Sequence, residues 1–277
     1  MRSLVLMFFC LLLAPAGNAG DVTINVDGST GVKPLVEALA AEFQKAESTQ
    51  EIAFRFGNGL NPTDRISALV QGRIDIAMAS HGIDVKQIHS LGLTTHRFAR
   101  MAVVFGVNHL VPVGNLTHQQ LCDIYNAKLL EWNQTLKQEK YDSPLKIRAF
   151  IRPFEEVDTE VVNQHIPCFG ALTIAEQIKL MPKSGDMAKA LANTVGAIGM
   201  TTQVRVAQSN GLIRAIAING IFPSSKNLLT NKYPLSRDSY LITTASPSEN
   251  VRKFIEFIYS DTGTQVIMTN NAVPASK

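Results

Sequence analysis

The chain has 277 residues, of which 26 are Lys or Arg and 23 are Asp or Glu, so its formal net charge at pH 7 is +3. No basic run alternates with aromatic residues, which argues against a nucleic-acid partner. The sequence contains no repeat, heptad series or low-complexity segment, and this predicts a compact globular chain, long enough for two lobes.

The first 19 residues have the pattern of a secretory signal peptide. Arg2 precedes an apolar run over residues 4–13, and small residues follow up to Ala19. The run is too short for a membrane span, and no later stretch reaches the roughly 20 apolar residues that a spanning helix needs. The sequence therefore predicts an exported protein without a membrane span in the mature chain.

A glycine-rich turn between a predicted strand and a predicted helix is the first candidate site. Residues 23–26 alternate polar and apolar side chains as a strand does, and apolar residues recur at helical spacing over 36–43. A helix that begins near Gly31 leaves free backbone N–H groups at its positive end, where Ser29 and Thr30 could help to hold an oxyanion. Ordinary helix capping by the same hydroxyls is the alternative.

Strand-like runs alternate with helical patterns along the rest of the chain, which favours α/β architecture. The predicted strands cover residues 52–56, 74–79, 101–107, 145–151, 197–200 and 240–243. Helices are predicted over 63–71, after a capping box formed by Thr117 and Gln120, and after a second capping box at 246–249 with Pro247 at the first helical position.

Two segments are predicted to carry the chain between lobes. The continuous apolar run 101–107 is typical of a buried strand, and turn-forming residues follow it over 108–115. A return is predicted near residues 232–235. Lobe one is then residues 21–105 together with 236–277, and lobe two is residues 106–235.

Two cysteines remain after the signal peptide, Cys122 and Cys168. In an oxidising compartment they could form a disulfide, whereas the alternative is two separately buried thiols. Spacing alone does not show whether the two residues are close, so both alternatives stay open.

Several motifs, in their order along the chain, resemble those of the phosphate-binding proteins of high-affinity phosphate ABC transporters, a family of bacterial periplasmic solute-binding proteins. Gly28-Ser29-Thr30 resembles the first phosphate loop, and Gly57-Asn58-Gly59 resembles the second glycine-rich loop. The strand that ends at Ser80 is similar to one that ends at a ligand-contacting residue. Similar segments follow at 115–132, 196–200, 233–237 and 254–274.

This resemblance covers nearly all of the mature chain and implies a two-lobed α/β fold of the type 2 periplasmic-binding-protein class, with two crossing strands at a hinge. It implies a monomeric periplasmic protein without a cofactor or metal. The implied partners are a small oxyanion, most of all phosphate, and an ABC transporter permease or a sensor protein. The candidate ligand contacts are Ser29, Thr30, Gly31, Thr63, Ser80, Arg152 and Thr159.

One segment departs from the family pattern, in which an Arg is followed by Gly-Ser-Gly-Thr at a helix start in lobe two. Arg152 is kept, but the small donors are replaced by Glu155, Glu156 and Asp158. One interpretation is that these carboxylates favour the positive end of the following helix and face solvent. The other is that they line a cleft adapted to a non-phosphate ligand, since carboxylates repel a bound anion. In that case Arg152 could pair with one of them instead of with the ligand.

The motifs of common enzymes are missing. The sequence has six histidines and the pair Ser80–His81, but no Gly-x-Ser-x-Gly elbow, no His-Glu-x-x-His and no Cys/His pair at zinc spacing. The sequence therefore favours a binding protein over an enzyme, and it leaves open whether that protein serves uptake or sensing.

Overall fold

The structure of the protein is a computed structural model, and it describes residues 22–46, 52–80, 82–136 and 144–276. The predicted signal peptide, residues 1–19, and His81 of the Ser80–His81 pair lie outside the described residues. Among the helices of the described ranges, none is long and apolar enough to cross a lipid bilayer.

Twelve strands and eleven α-helices alternate along the described residues, which confirms the predicted α/β class. The strands are β1 (Val22–Gly28), β2 (Ile52–Phe56), β3 (Ile76–Ser80), β4 (Leu93–Asn108), β5 (Asn115–Leu116), β6 (Arg148–Ile151), β7 (Lys179–Leu180), β8 (Ala197–Thr202), β9 (Ile213–Ala215), β10 (Ala217–Ile218), β11 (Ser236–Thr244) and β12 (Val273–Pro274). The helices are α1 (Lys33–Ala46), α2 (Pro62–Val70), α3 (Val85–Ser90), α4 (His118–Tyr125), α5 (Val157–His165), α6 (Pro167–Gly170), α7 (Ser184–Asn193), α8 (Gln203–Ala207), α9 (Ser225–Leu229), α10 (Glu249–Ile258) and α11 (Asp261–Thr269).

Strand β4 is the centre of the sheet. The hydrogen-bonded order is β2-β1-β3-β11-β4-β8-β6-β7, and β9 and β12 also pair with β4. Residues 93–102 of β4 pair with β11, whereas residues 103–107 pair with β8. The start of β11 lies beside the same point, because the Val103 amide donates to the Leu235 carbonyl oxygen at 2.8 Å. The chain thus passes between two groups of strands, with β1, β2 and β3 on one side and β6, β7 and β8 on the other. It crosses once within β4, near residues 102–103, and once near residues 235–236, and these two segments are adjacent.

Each group of strands has its own hydrophobic core. The larger cluster of buried apolar side chains is drawn almost entirely from residues 102–235 and includes Phe105. A second cluster is drawn almost entirely from residues 24–101 and 241–272 and includes Phe43. Burial of one face of each sheet segment against its own helices is what holds the two groups as compact units.

Local sequence signals explain several helix boundaries. The buried residues of α1 include Val36, Leu39 and Phe43, at the spacing that predicted one apolar face. Helix α4 begins with the predicted capping box, in which the Thr117 side chain accepts from the Gln120 amide and the Gln120 side chain accepts from the Thr117 amide. Both observations confirm the predicted helices.

The capping box predicted at residues 246–249 is wrong. Helix α10 begins at Glu249, and its N-cap is Ser248, whose Oγ accepts from the Val251 amide at 3.4 Å. Pro247 therefore precedes the N-cap instead of occupying the first helical position. A serine two residues further along satisfies the free amides equally well, so spacing alone selected the wrong start.

Cys122 of α4 and Cys168 of α6 form a disulfide, with their Cα atoms 6.2 Å apart. Of the two alternatives left by the sequence, the structure has the disulfide. The bond joins two helices of the larger core, because Cys122 is buried in that cluster and Cys168 packs against it.

Candidate functional site

A cleft of about 670 Å³ lies between the two groups of strands. The β1–α1 turn, the start of α2, the end of β3 and the start of α5 line it. Five of the seven candidate ligand contacts are among the lining residues: Ser29, Thr30, Gly31, Ser80 and Arg152. The other two lie elsewhere. Thr63 is exposed at the start of α2, and Thr159 is fully buried in α5.

The turn between β1 and α1 presents free backbone donors to the cleft. The Ser29 amide donates to the Met78 carbonyl oxygen at 2.9 Å, and the Lys33 amide donates to the Ser29 carbonyl oxygen at 3.1 Å. Among the described residues, the amides of Thr30 and Gly31 have no hydrogen-bond partner. Helix α1 begins two residues later than predicted, and two free amides beside its N-terminus are suited to an anion.

Asp27 holds the second glycine-rich loop against this turn. Its Oδ1 accepts from the Gly28 amide at 2.7 Å and from the Gly59 amide at 2.9 Å. A side chain at Gly57 would overlap the same carboxylate. The Asp27 carboxylate therefore stabilises the two loops that frame the cleft.

Ser80 connects the turn to a buried arginine that was not among the candidates. Its Oγ lies 2.8 Å from Ser29 Oγ and accepts a hydrogen bond from Arg237 Nη1. Arg237, on β11, also lies against Gly31, where a Cβ atom would overlap Arg237 Nη2. Glycine at position 31 leaves the space that the guanidinium occupies. The Arg237 guanidinium therefore lies directly beside the β1–α1 turn that the sequence predicts as an anion site.

Arg237 is neutralised by Asp158 from the first turn of α5. Arg237 Nε lies 2.8 Å from Asp158 Oδ1, and the two side chains are 1% and 7% exposed. Neither atom makes a hydrogen bond of normal geometry, so the contact is an ion pair. Removing one partner of a buried pair leaves an uncompensated charge, which costs about 3–5 kcal/mol. This pair links the two sides of the cleft.

Arg152, directly after β6, is also paired within the chain. Its Nη2 lies 2.9 Å from Glu156 Oε2, and its Nη1 donates to the Met181 carbonyl oxygen at 2.8 Å. The Thr159 hydroxyl donates to the Arg152 carbonyl oxygen at 3.5 Å. Thr159 thus supports the segment around Arg152 and does not face the cleft.

These contacts bear on both interpretations of the acidic segment, since its carboxylates line the cleft and Arg152 pairs with Glu156 as the second interpretation expected. Glu155, Glu156 and Asp158 all line the cleft, and Asp158 is buried. The interpretation in which they face solvent is therefore wrong for Asp158. Glu156 and Asp158 are held by Arg152 and Arg237, so neither carboxylate is free for a cationic ligand.

A third arginine lines the cleft without a carboxylate partner among the described residues. Arg65 lies on α2 and is 8% exposed. Its Nη1 donates to the Met78 carbonyl oxygen at 3.4 Å, and its Nε has no partner within the described ranges. Burial lowers the pKa of the Arg65 guanidinium below its ordinary value.

Charged side chains of both signs line the cleft. At the edge, Lys183 donates from Nζ to the Asn58 carbonyl oxygen at 2.8 Å and forms a second contact across the cleft. The charged residues that line the described part of the cleft are Arg65, Arg152, Lys183 and Arg237, with Asp84, Glu155, Glu156, Asp158 and Glu160. No group of three or more His, Cys, Asp or Glu side chains within the described ranges could hold a metal ion.

Arg65 and Arg237 were missed as candidates, although each left a signal in the sequence. Arg65 lies three and four residues before Ala68 and Leu69, so it occupies the buried face of α2. A charged residue at a predicted buried position was the available signal. Arg237 ends the segment 233–237, one of the motifs that resembles the family.

The comparisons with known proteins agree with this fold. Residues 14–262 match the family model described as a PBP superfamily domain, and the chain belongs to that superfamily. The phosphate-binding protein PstS of Bacillus subtilis is 23% identical over an alignment of 288 residues with gaps, and this alignment covers 96% of this chain and 90% of PstS. Protein SphX of Synechococcus elongatus is 26% identical over 265 residues, which cover 89% of this chain and 76% of SphX.

A solved structure shows the same fold. It is a Clostridium perfringens protein described as a phosphate ABC transporter substrate-binding protein, with bound phosphate. Its TM-score is 0.72 at 21% identity, and the alignment covers 92% of this chain and 100% of that chain. The resemblance to phosphate-binding proteins and the expected fold are therefore confirmed.

Proposed function

We propose that this chain is a periplasmic solute-binding protein that captures phosphate in its cleft for an ABC transporter. The observation that carries the proposal is the convergence on one cleft of the free Thr30 and Gly31 amides, the Ser29 and Ser80 hydroxyls, and buried guanidinium groups. Backbone amides at a helix start and guanidinium groups are common donors to phosphate oxygens. The relatives named as phosphate-binding proteins support the same ligand.

The proposal includes hinged closure of two lobes. Lobe one comprises residues 21–105 and 236–277, and lobe two comprises residues 106–235. The change of partners along β4 and the hydrogen bond between Val103 and Leu235 support this division. Closure would bury the ligand between the starts of α1 and α5, as hinged binding proteins do. We propose Ser29, Thr30, Gly31 and Ser80 as contacts from lobe one and Arg152 from lobe two.

A diverged binding or sensor protein for a non-phosphate ligand is the alternative, and it is not favoured. It needs the acidic segment to be available to a cationic ligand, whereas two of the three carboxylates, those of Glu156 and Asp158, contact Arg152 and Arg237. We propose uptake and not sensing, because the Clostridium perfringens protein is described as an ABC transporter component.

We also infer that the protein is exported, monomeric and not an enzyme. The apolar run over residues 4–13 supports export through a signal peptide. The relatives named as binding proteins support a function without turnover.

Calorimetric titration with inorganic phosphate tests the proposed function. We expect a dissociation constant near or below about 1 μM, which corresponds to about 8 kcal/mol. Thr30→Ala should weaken binding by about 1 to 3 kcal/mol if its hydroxyl donates to the anion. Thr63→Ala changes an exposed threonine outside the cleft lining and serves as the matched control. No detectable heat at millimolar phosphate would refute the proposal.

A further inference from the structure

Arg65 differs from the other arginines of the cleft in its charge environment. Arg152 pairs with Glu156, and Arg237 pairs with Asp158. Of the three arginines that line the described part of the cleft, Arg65 alone makes no ion pair with a described residue. Arg65 is nevertheless only 8% exposed as a residue, and its Nε is buried without a hydrogen-bond partner among the described residues.

Arg65 also lies close to the β1–α1 turn, residues 29–31, which presents free amides to the cleft. Its Nη1 and the Ser29 amide donate to the same Met78 carbonyl oxygen, at 3.4 Å and 2.9 Å. The Met78 carbonyl reaches this position because Gly28, with a φ of +127°, has no side chain to block it. The shared acceptor places the guanidinium beside Ser29, whose Oγ contacts Ser80.

We infer that Arg65 supplies the main cationic contact to the anion bound in this cleft, beside the contact proposed for Arg152. The identity of that anion as phosphate rests on the proposed function. An arginine stays protonated in proteins, so a buried guanidinium without a carboxylate leaves a charge that a bound anion would compensate. Arg152 and Arg237 are already neutralised, and a ligand gains less net attraction from them. Burial lowers the pKa of the Arg65 guanidinium, and this agrees with the geometry, in which no described carboxylate lies close enough to pair with it.

This role differs from a structural role in its effect on the ligand-free protein. A structural arginine stabilises the empty protein, and its removal lowers the melting temperature. An uncompensated buried charge destabilises the empty protein, and its replacement by an apolar side chain of similar length leaves the melting temperature equal or higher. The same replacement removes the attraction for the anion.

The test compares the full-length mature protein with Arg65→Met, Arg65→Lys and the matched control Arg73→Met. Arg73 is exposed in the turn after α2 and does not line the cleft. Each protein is titrated calorimetrically with inorganic phosphate and, separately, with sulfate, and its melting temperature is measured without either anion. We expect Arg65→Met to weaken phosphate binding about 100-fold or more and to melt at or above the wild-type temperature. Arg65→Lys should bind more tightly than Arg65→Met but less tightly than wild type, because lysine lacks the planar fork. Arg73→Met should bind as wild type does.

The outcomes separate this inference from the proposed function. If the phosphate dissociation constant of Arg65→Met lies within about threefold of the wild-type value, the inference is overturned and phosphate capture stays intact. Weaker binding together with a lower melting temperature would assign Arg65 a structural role and also overturn it. Wild-type binding of sulfate but not phosphate, lost in Arg65→Met, would refute phosphate capture and uphold Arg65 as the anion contact. Binding of neither anion by the wild type would overturn both.

Discussion

The Cys122–Cys168 disulfide is expected to contribute much of the stability of the larger core. Its two residues are separated by 46 positions. In the chain-entropy treatment, closing a loop of that length lowers the entropy of the unfolded chain by an amount equivalent to about 4 kcal/mol at 25 °C. Replacing both cysteines by alanine should therefore lower the free energy of unfolding by about 4 kcal/mol.

The single tryptophan of the chain makes this measurement specific. Trp132 is fully buried in the same core as Cys122, so its fluorescence during urea unfolding reports the region that the disulfide crosses. With a urea dependence of about 3 kcal/mol per molar, the midpoint should fall by about 1.3 M in the double-alanine variant. Reductant should lower the wild-type midpoint similarly and leave the variant unchanged. Equal wild-type midpoints with and without reductant would contradict this account, as would two titratable thiols in the unreduced protein.

Three further predictions concern other buried groups. Asp158→Asn removes the charge that neutralises Arg237, so the ligand-free protein should lose about 3–5 kcal/mol of unfolding free energy in urea titrations. Added phosphate should restore part of this loss, and a loss unaffected by phosphate would contradict the pairing argument. Gly31→Ala places a methyl group on the Arg237 guanidinium, so calorimetry should show about tenfold weaker phosphate binding or more. In Gly114→Ala the new methyl group meets no atom of the described residues within 4 Å, so this control should bind as wild type. Burial raises the pKa of Tyr125, so above about pH 10 the unfolded chain loses this proton while the folded chain keeps it, and stability should fall by up to about 1.36 kcal/mol per pH unit. Tyr125→Phe should show a shallower alkaline slope, and an unchanged slope would contradict the assignment.

The spacing of apolar residues in the sequence predicted those helices and strands in which one apolar pattern runs along the whole element. Strand β4 shows where that reasoning stops, since the prediction covered 101–107 and the strand spans Leu93–Asn108. Its first part carries Arg97 and Arg100, which pair with Asp238 on the neighbouring strand and interrupt the apolar run. A charged residue can lie within a strand when a residue of opposite charge on the neighbouring strand pairs with it. The local sequence does not show which residue that partner is.

The local half of the site was predictable, and the distant half was not. Ser29, Thr30 and Gly31 are adjacent, and any helix start leaves free amides beside them. Arg237 meets Asp158 because β11 and α5 come together in the fold, and no spacing rule connects such distant residues. The acidic segment therefore looked unfavourable for an anion in the sequence, whereas in the structure two of its carboxylates are neutralised.

The Asp158–Arg237 pair gives the two sides of the cleft an attraction that needs no ligand. If the proposed lobes close as hinged units, such a pair would favour the shut state in the empty protein, and an anion would enter only after the pair had separated. The observed rate of capture in a rapid-mixing experiment would then level off at the opening rate as the phosphate concentration rises. For this protein, the speed of scavenging would be limited by the lifetime of its own internal ion pair and not by the frequency of collisions with phosphate.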